Sequence, residues 1–169
     1  MSENVNWNIV EKPAIKVKFL KTHEDAILPK VNNDGWATGD SGYDLFCVED
    51  VTVPGGGSCI APVGVTVADI SPGYWFKIEP RSGLGFKHNI QPHLGVIDNQ
   101  YRGDLAVKLY NFSNVDVKIE KGKAVAQFVV YPLVQVSCEW SEEVTDTNRG
   151  DQGFGSSDKT VKVIDLKDK

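Results

Sequence analysis

The sequence predicts an all-β fold, either a sandwich or a barrel, and three observations carry that prediction. Apolar residues alternate with polar ones along most of the chain, which is the pattern of half-buried strands. Glycine and proline interrupt these runs at short intervals, as in PGGG from Pro54 and SPG from Ser71. No window has a convincing 3.6-residue period, and only the acidic run WSEEVTD is compatible with a helical turn.

Individual runs identify the strands. Four are predicted to be half-buried because apolar residues recur at every second position: IKVKFLK, VGVTV, DLAVKLY and NVDVKIE. The run AVAQFVVYPLVQV, which begins at Ala124, is mostly apolar and β-branched, as is typical of a central strand buried on both faces. A polar loop from Pro29 to Asp40 and a Gly- and Ser-rich segment from Thr145 are predicted to be loosely held. The tail KTVKVIDLKDK fits a short strand and a disordered end equally well.

Composition limits the kind of protein. The 169 residues, 41% of them hydrophobic, predict one domain with a real core. A net charge of −5 argues against general nucleic-acid binding, which needs many phosphate-neutralising lysines and arginines. Neither a signal peptide nor a run of about 20 apolar residues is found, so no membrane partner is expected. Three cysteines without CxxC spacing indicate a reduced, cytoplasmic protein.

The arginines suggest a ligand. Only three of the 18 basic residues are arginines, Arg81, Arg102 and Arg149, and each stands beside a glycine. One such pair is ordinary turn chemistry, but three favour a site for an anion, because arginine can grip phosphate or carboxylate through two parallel hydrogen bonds. Asp98 also stands out, because it ends the apolar run GVI, where a strand has no need of a carboxylate.

Five segments, taken in order, resemble the five motifs of the trimeric deoxyuridine triphosphatases (dUTPases). They are SGYDL, PRSGLG, GVIDNQYRG, GKAVAQ and RGDQGFGSS, and the resemblance covers roughly residues 15–157. It implies a distorted jelly-roll barrel of the β-clip type in residues 1–144 and a flexible C-terminal arm in residues 145–169. It also implies hydrolysis of dUTP to dUMP and pyrophosphate, which removes dUTP from the nucleotide pool and supplies dUMP for thymidylate synthesis.

The resemblance assigns chemical roles to single residues. Asp98 is the expected general base, which accepts a proton from the water that attacks the α-phosphate. Its place after three small or apolar residues is expected to surround it with apolar side chains, which favours proton acceptance. Asp44 is expected to hold a water of a Mg²⁺ ion rather than to bind the ion directly. Tyr101 is expected to pack under the sugar and to exclude a 2′-hydroxyl.

The same resemblance supplies the substrate contacts. The phosphates are expected to meet Arg81, Ser82, Gly83 and Gln127, with Arg149 closing on the γ-phosphate. Backbone groups of a hairpin near Leu94 to Ile97 are expected to read the uracil edge, and Phe154 to stack on the base. The full set of expected substrate-binding residues is Arg81, Ser82, Gly83, Gly95, Val96, Ile97, Tyr101, Gly103, Gln127, Arg149, Phe154, Gly155 and Ser156.

A homotrimer with three shared active sites is also implied, and two alternatives remain open. A relative of the dCTP deaminases would carry a glutamate after the hairpin strand, yet no acid lies between Leu105 and Phe112. A nucleotide-binding or protein-interaction module without turnover fits less well with an intact Asp98. Asn99 and Gln100 replace an acid-bearing pair, which is expected to remove a negative charge near the sugar and to leave the base in place.

Overall fold

A computed structural model of the chain describes residues 15–35 and 38–151. Contacts divide the chain into two units, residues 1–134 and 135–169, and every regular element among the described residues lies in the first. The strands are β1 (Val17–Lys21), β2 (Tyr43–Phe46), β3 (Val51–Val53), β4 (Ser58–Ile70), β5 (Tyr74–Glu79), β6 (Ile90–Pro92), β7 (Gly95–Ile97), β8 (Asp104–Asn111), β9 (Val117–Ile119) and β10 (Ala124–Pro132). The helix α1 (Ser82–His88) lies between β5 and β6. It is too short to cross a membrane.

Two four-stranded antiparallel sheets and a two-stranded ribbon make up the described part of the first unit. The first sheet has the order β1-β4-β8-β6 and the second the order β2-β10-β5-β7, while β3 pairs with β9. Inward-facing residues of both sheets form one apolar cluster that includes Val107 and Leu109 from the first sheet. The second sheet contributes Phe76 and Phe128, whose ring centroids are 4.6 Å apart. The prediction of an all-β, jelly-roll-like fold is confirmed.

Most period-two runs form strands. VGVTV lies within β4, and DLAVKLY lies in β8, whose side chains alternate between exposed and buried positions. β10 is central in its sheet, as its composition predicts. Its predicted continuation to Val136 is wrong, because the strand ends at Pro132 and residues 133–151 are exposed. A proline has no N–H to offer the ladder, which explains the end of the strand.

The expectations about helices are both wrong. WSEEVTD contains no helical turn, whereas PRSGLG opens the helix α1. Asn89 ends α1 with a φ of 55°, and its N–H donates to the Gly85 carbonyl at 3.1 Å. No residue of α1 is buried, so the helix has no apolar face to produce a 3.6-residue pattern. Its two glycines have a low helix propensity, so the composition of this segment does not predict a helix either.

Asp50 holds the turn between β9 and β10, where the segment GKAVAQ begins. Its carboxylate pairs with the Lys118 ammonium at 2.7 Å and accepts the Lys121 N–H at 2.9 Å. The hydrogen bond from Lys118, with a smaller effect of the Lys121 N–H, lowers the pKa of Asp50. Cys47 lies buried under the same turn, and its thiol donates to the Glu120 carbonyl at 3.3 Å. Burial raises the pKa of Cys47.

Candidate anion-binding cleft and active-site turn

Three adjacent strands bring together the polar groups of one cleft. β10 pairs with β2 and β5, and the register sets Gln127 opposite Asp44 on one side and Glu79 on the other. Residues opposite each other in antiparallel strands have Cβ atoms about 5 Å apart, so these polar side chains are neighbours. Two residues beyond Glu79, Arg81 lies where the chain enters α1.

Arg81 and Asp44 form a bidentate ion pair. Arg81 Nε donates to Asp44 Oδ1 at 2.8 Å, and Arg81 Nη2 donates to Asp44 Oδ2 at 3.0 Å. A third bond runs from Arg81 Nη1 to the Ala124 carbonyl at 3.3 Å. The Asp44 residue is 4% exposed, while 31% of the Arg81 side chain remains accessible. The guanidinium is therefore fixed in orientation before a ligand arrives, and part of it remains available to that ligand.

Gln127 is held between two loops. Its Nε2 donates to the Pro80 carbonyl at 2.8 Å. Its amide also packs against the backbone of Gly42, where an added Cβ would overlap Gln127 Oε1. The glycine of SGYDL is thus needed for close approach rather than for a turn.

These groups enclose a cleft of about 440 Å³, a size suited to a small molecule. Its lining residues are Asn32, Asp40, Ser41, Gly42, Asp44, Arg81, Ser82, Gly83, Gln127 and Val129. Four of the predicted phosphate contacts, together with Asp44, therefore lie in one place. Asn32 and Asp40 were missed, because the sequence marks their segment only as a polar loop and the tertiary fold brings it to the cleft.

Asp98 and Tyr101 lie elsewhere, beyond the end of β7, and neither lines this cleft. Asp98 is exposed, so the expectation that apolar side chains surround it is wrong for the single chain. The expected hairpin near Leu94 to Ile97 is also absent from this segment, since β6 pairs with β8 and β7 pairs with β5. β7 is instead an edge strand, and no strand among the described residues pairs with the edge that lies away from β5.

The turn after β7 is tightly bonded. The Tyr101 N–H donates to the Asp98 carbonyl at 3.0 Å, and the Tyr101 hydroxyl donates to the Asp104 carbonyl at 3.2 Å. A Cβ on Gly103 would overlap that hydroxyl, so this glycine is required by the ring. Arg102 Nη1 donates to the Tyr101 carbonyl at 2.8 Å. For Arg102, the turn interpretation therefore fits better than the ligand interpretation.

The remaining predicted contacts belong to the C-terminal part of the chain. Arg149 lies in the second unit. Phe154, Gly155 and Ser156 lie outside the described residues, as does the tail that follows them.

An all-β fold with an oriented arginine in a polar cleft is typical of a protein that binds a small anion. Comparison with known proteins narrows that class. A family model described as dUTPase matches residues 32–158. The chain is 38% identical over 149 residues to the deoxyuridine 5'-triphosphate nucleotidohydrolase of Gloeothece citriformis, covering 86% of this chain and 99% of that one. The chain belongs to the dUTPase family.

Two solved structures are similar to the chain. The dUTPase of Staphylococcus bacteriophage 80alpha with dUPNHPP has a TM-score of 0.71 and 26% identity, over 84% of this chain and 98% of that one. A mutant dUTPase from phage phi11 of S. aureus, described with a structural Mg(II) ion, has a TM-score of 0.66 and 23% identity, over 76% and 97%. The resemblance found in the sequence is confirmed.

Proposed function

We propose that this protein hydrolyses dUTP to dUMP and pyrophosphate, with Asp98 as the general base. The observation that carries the proposal is the oriented Arg81 in a cleft that also holds Ser82, Gly83 and Gln127, in a chain that belongs to the dUTPase family. Arg81 has accessible surface for phosphate oxygens, and the amide and hydroxyl of its neighbours add neutral donors. Asp98 accepts the proton of the attacking water, and the pyrophosphate leaves.

The donors of the cleft fit a Mg²⁺ ion that arrives with the phosphates. Within residues 15–35 and 38–151, no three His, Cys, Asp or Glu side chains converge to hold a metal by themselves. Asp44 Oδ1, which accepts from Arg81, retains a lone pair that can accept a hydrogen bond from a metal-bound water, whereas Oδ2 accepts from both Arg81 and Asn32. Asp40 offers a second carboxylate in the same cleft. When bound, Mg²⁺ neutralises charge on the phosphate oxygens.

Recognition of the nucleoside is proposed to use β7 and the turn that follows it. Backbone donors and acceptors of alternate residues among Gly95, Val96 and Ile97 would meet a uracil at the edge of β7 that lies away from β5. A cytosine would leave such groups unpaired, which is a strong penalty. The Tyr101 ring, fixed by its hydroxyl bond and by the missing side chain of Gly103, excludes a 2′-hydroxyl. Phe154, Gly155, Ser156 and Arg149 are proposed to close over the bound nucleotide.

The separation of these regions supports a shared site. Because Asp98 does not line the cleft that holds Arg81, we infer that the two act together across a subunit interface of a homotrimer. Mixing Asp98→Asn with Arg81→Ala subunits tests this arrangement. If each site takes one residue from each of two chains, a random mixture of two inactive variants regains about a quarter of the wild-type rate. A mixture that stays inactive after verified subunit exchange would contradict shared sites, as would a monomeric mass in solution.

The reaction itself is tested by release of pyrophosphate from dUTP. The Asp98→Asn variant is expected to lose about 10²- to 10⁴-fold in kcat, which is the usual contribution of general base catalysis. Asp104→Asn is the matched control, because it makes the same change at an exposed carboxylate on the strand that follows. An inactive wild type would refute the function, and a fully active Asp98→Asn variant would refute the role of the base. Ammonia release from dCTP checks the deaminase alternative.

A further inference from the structure

The side chain of Asn99 ties the turn that carries Asp98 to a different part of the fold. Asn99 Nδ2 donates to the Ser71 carbonyl at 3.1 Å and to the Tyr74 carbonyl at 2.8 Å. Ser71 follows the end of β4, and Tyr74 begins β5. One amide nitrogen thus spans the tight β4–β5 connection, and two carbonyl acceptors determine which way the amide points.

We propose that Asn99 is a positioning residue for Asp98 and Tyr101 and that the two hydrogen bonds of its amide fix their geometry. The inference rests on the proposed function, because it concerns how the same site is kept in place. A carboxylate has no hydrogen to donate, and at this position it would face two carbonyl oxygens. An aspartate at position 99 would therefore lose both hydrogen bonds and add a negative charge.

Asp98 lies between two fixed points. On its N-terminal side, Ile97 pairs with Phe76 in the ladder of β7 and β5. On its C-terminal side, Asn99 is held through its amide, and its carbonyl accepts a hydrogen bond from Arg102 at 2.7 Å. Because both of its neighbours are held, the backbone of Asp98 has little freedom, although its carboxylate is exposed. That matters because a misplacement of about 1 Å can cost about 100-fold in rate.

The same turn also carries the ring that meets the sugar. The Tyr101 N–H bonds to the Asp98 carbonyl, so a displacement of one residue moves the other. Beyond the ring, the buried Thr66 hydroxyl bonds to the Gly103 carbonyl at 2.6 Å. Asn99 is therefore the anchor for the first half of the turn, and its loss is expected to affect both the rate and the selectivity for deoxyribose.

The test compares Asn99→Asp with Gln100→Glu. Both replace an amide by a carboxylate in adjacent residues, but Gln100 is exposed and Asn99 makes the two bonds described above. Pyrophosphate release from dUTP and from UTP gives kcat and kcat/KM for each variant. Asn99→Asp is expected to lower kcat for dUTP by about 10- to 100-fold and to reduce the preference for dUTP over UTP at least fivefold. Gln100→Glu is expected to stay within twofold of wild type.

Asn99→Ala and the hydrogen exchange of the Tyr101 amide separate positioning from folding. Exchange of that amide is expected to accelerate in both Asn99 variants, while core strands such as β8 keep their wild-type protection. Wild-type kcat and selectivity in Asn99→Asp, or equal losses in Gln100→Glu, would overturn the inference and leave the proposed function intact. A wild-type protein that releases no pyrophosphate would overturn the proposed function. Hydrogen exchange of the Tyr101 amide would still test the role of Asn99 in that case, because an unchanged exchange rate in both Asn99 variants would refute it.

Discussion

Replacing Asp44 by asparagine breaks the ion pair that orients Arg81 while leaving the volume of the side chain unchanged. Asparagine retains one oxygen that can accept from the guanidinium. Its amide nitrogen, however, faces an Arg81 N–H, so one of the two bonds at 2.8 and 3.0 Å is lost. The variant also removes the carboxylate that neutralises Arg81, at a position where only 4% of the residue is exposed to solvent.

The cost follows from the burial of the two partners. A hydrogen bond to a charged group contributes about 1.5–3 kcal/mol, and the remaining bond weakens because its acceptor becomes neutral. Solvent reaches the accessible 31% of the Arg81 side chain and screens part of this loss. The net destabilisation is therefore about 2 kcal/mol, which corresponds to a fall in Tm of about 4–8 °C for a chain of this size.

Thermal unfolding and binding of a non-hydrolysable dUTP analogue measure the two consequences. Asp40→Asn is the matched control, since Asp40 is exposed, lines the same cleft and makes no ion pair within the described part of the chain. Its Tm is expected to change by about 1 °C or less. If charge alone governed binding, both variants would bind the analogue more tightly. We expect the larger loss of binding in Asp44→Asn, and equal Tm losses in the two variants would refute the reasoning.

Three further predictions concern other sites. Gly42→Ala is expected to displace the glutamine amide packed against it and to raise KM for dUTP at least tenfold with little change in Tm, as measured by steady-state kinetics. In thiol titration, the exposed Cys138 is expected to react first and Cys47 only on unfolding, since burial raises the pKa of Cys47. Because Lys118 lowers the pKa of Asp50, stability from this pair is present above the unfolded pKa of about 3.8 and lost as pH falls below it. Asp50→Asn is therefore expected to flatten the acid branch of a Tm profile.

Strands such as β8 could be predicted because one of their faces is buried. In β8, exposed and buried residues alternate through Leu105, Val107 and Leu109, and the sequence carries that alternation directly. The helix α1 could not be predicted by the same route, since none of its residues is buried. The end of β10 was missed because apolar residues continue past Pro132, although they lie exposed.

The residues of the candidate site could also be predicted only in part. Resemblance marked Asp44, Arg81 and Gln127, but only the register across β2, β10 and β5 explains why they meet. Asn32 and Thr66 carry no signal of their own. Asn32 reaches the cleft through a loop, and the Thr66 hydroxyl donates to two carbonyls of the turn after β7. Both contacts depend on tertiary structure, for which neither periodicity nor motif spacing gives evidence.

The charges of the cleft indicate what an acidic chain needs in order to hold a polyanion. Arg81 and Asp44 cancel as a pair, and Asp40 adds a negative charge, so the cleft of the first unit has no excess of positive charge to attract phosphate. Its contribution is the direction of its donors, which the ion pair fixes in advance. Neutralisation must then come with the ligand or from another segment, as the proposed Mg²⁺ ion and Arg149 would provide. A cleft that orients without attracting would favour a metal-bound triphosphate over smaller free anions, because only the former brings its own counter-charge.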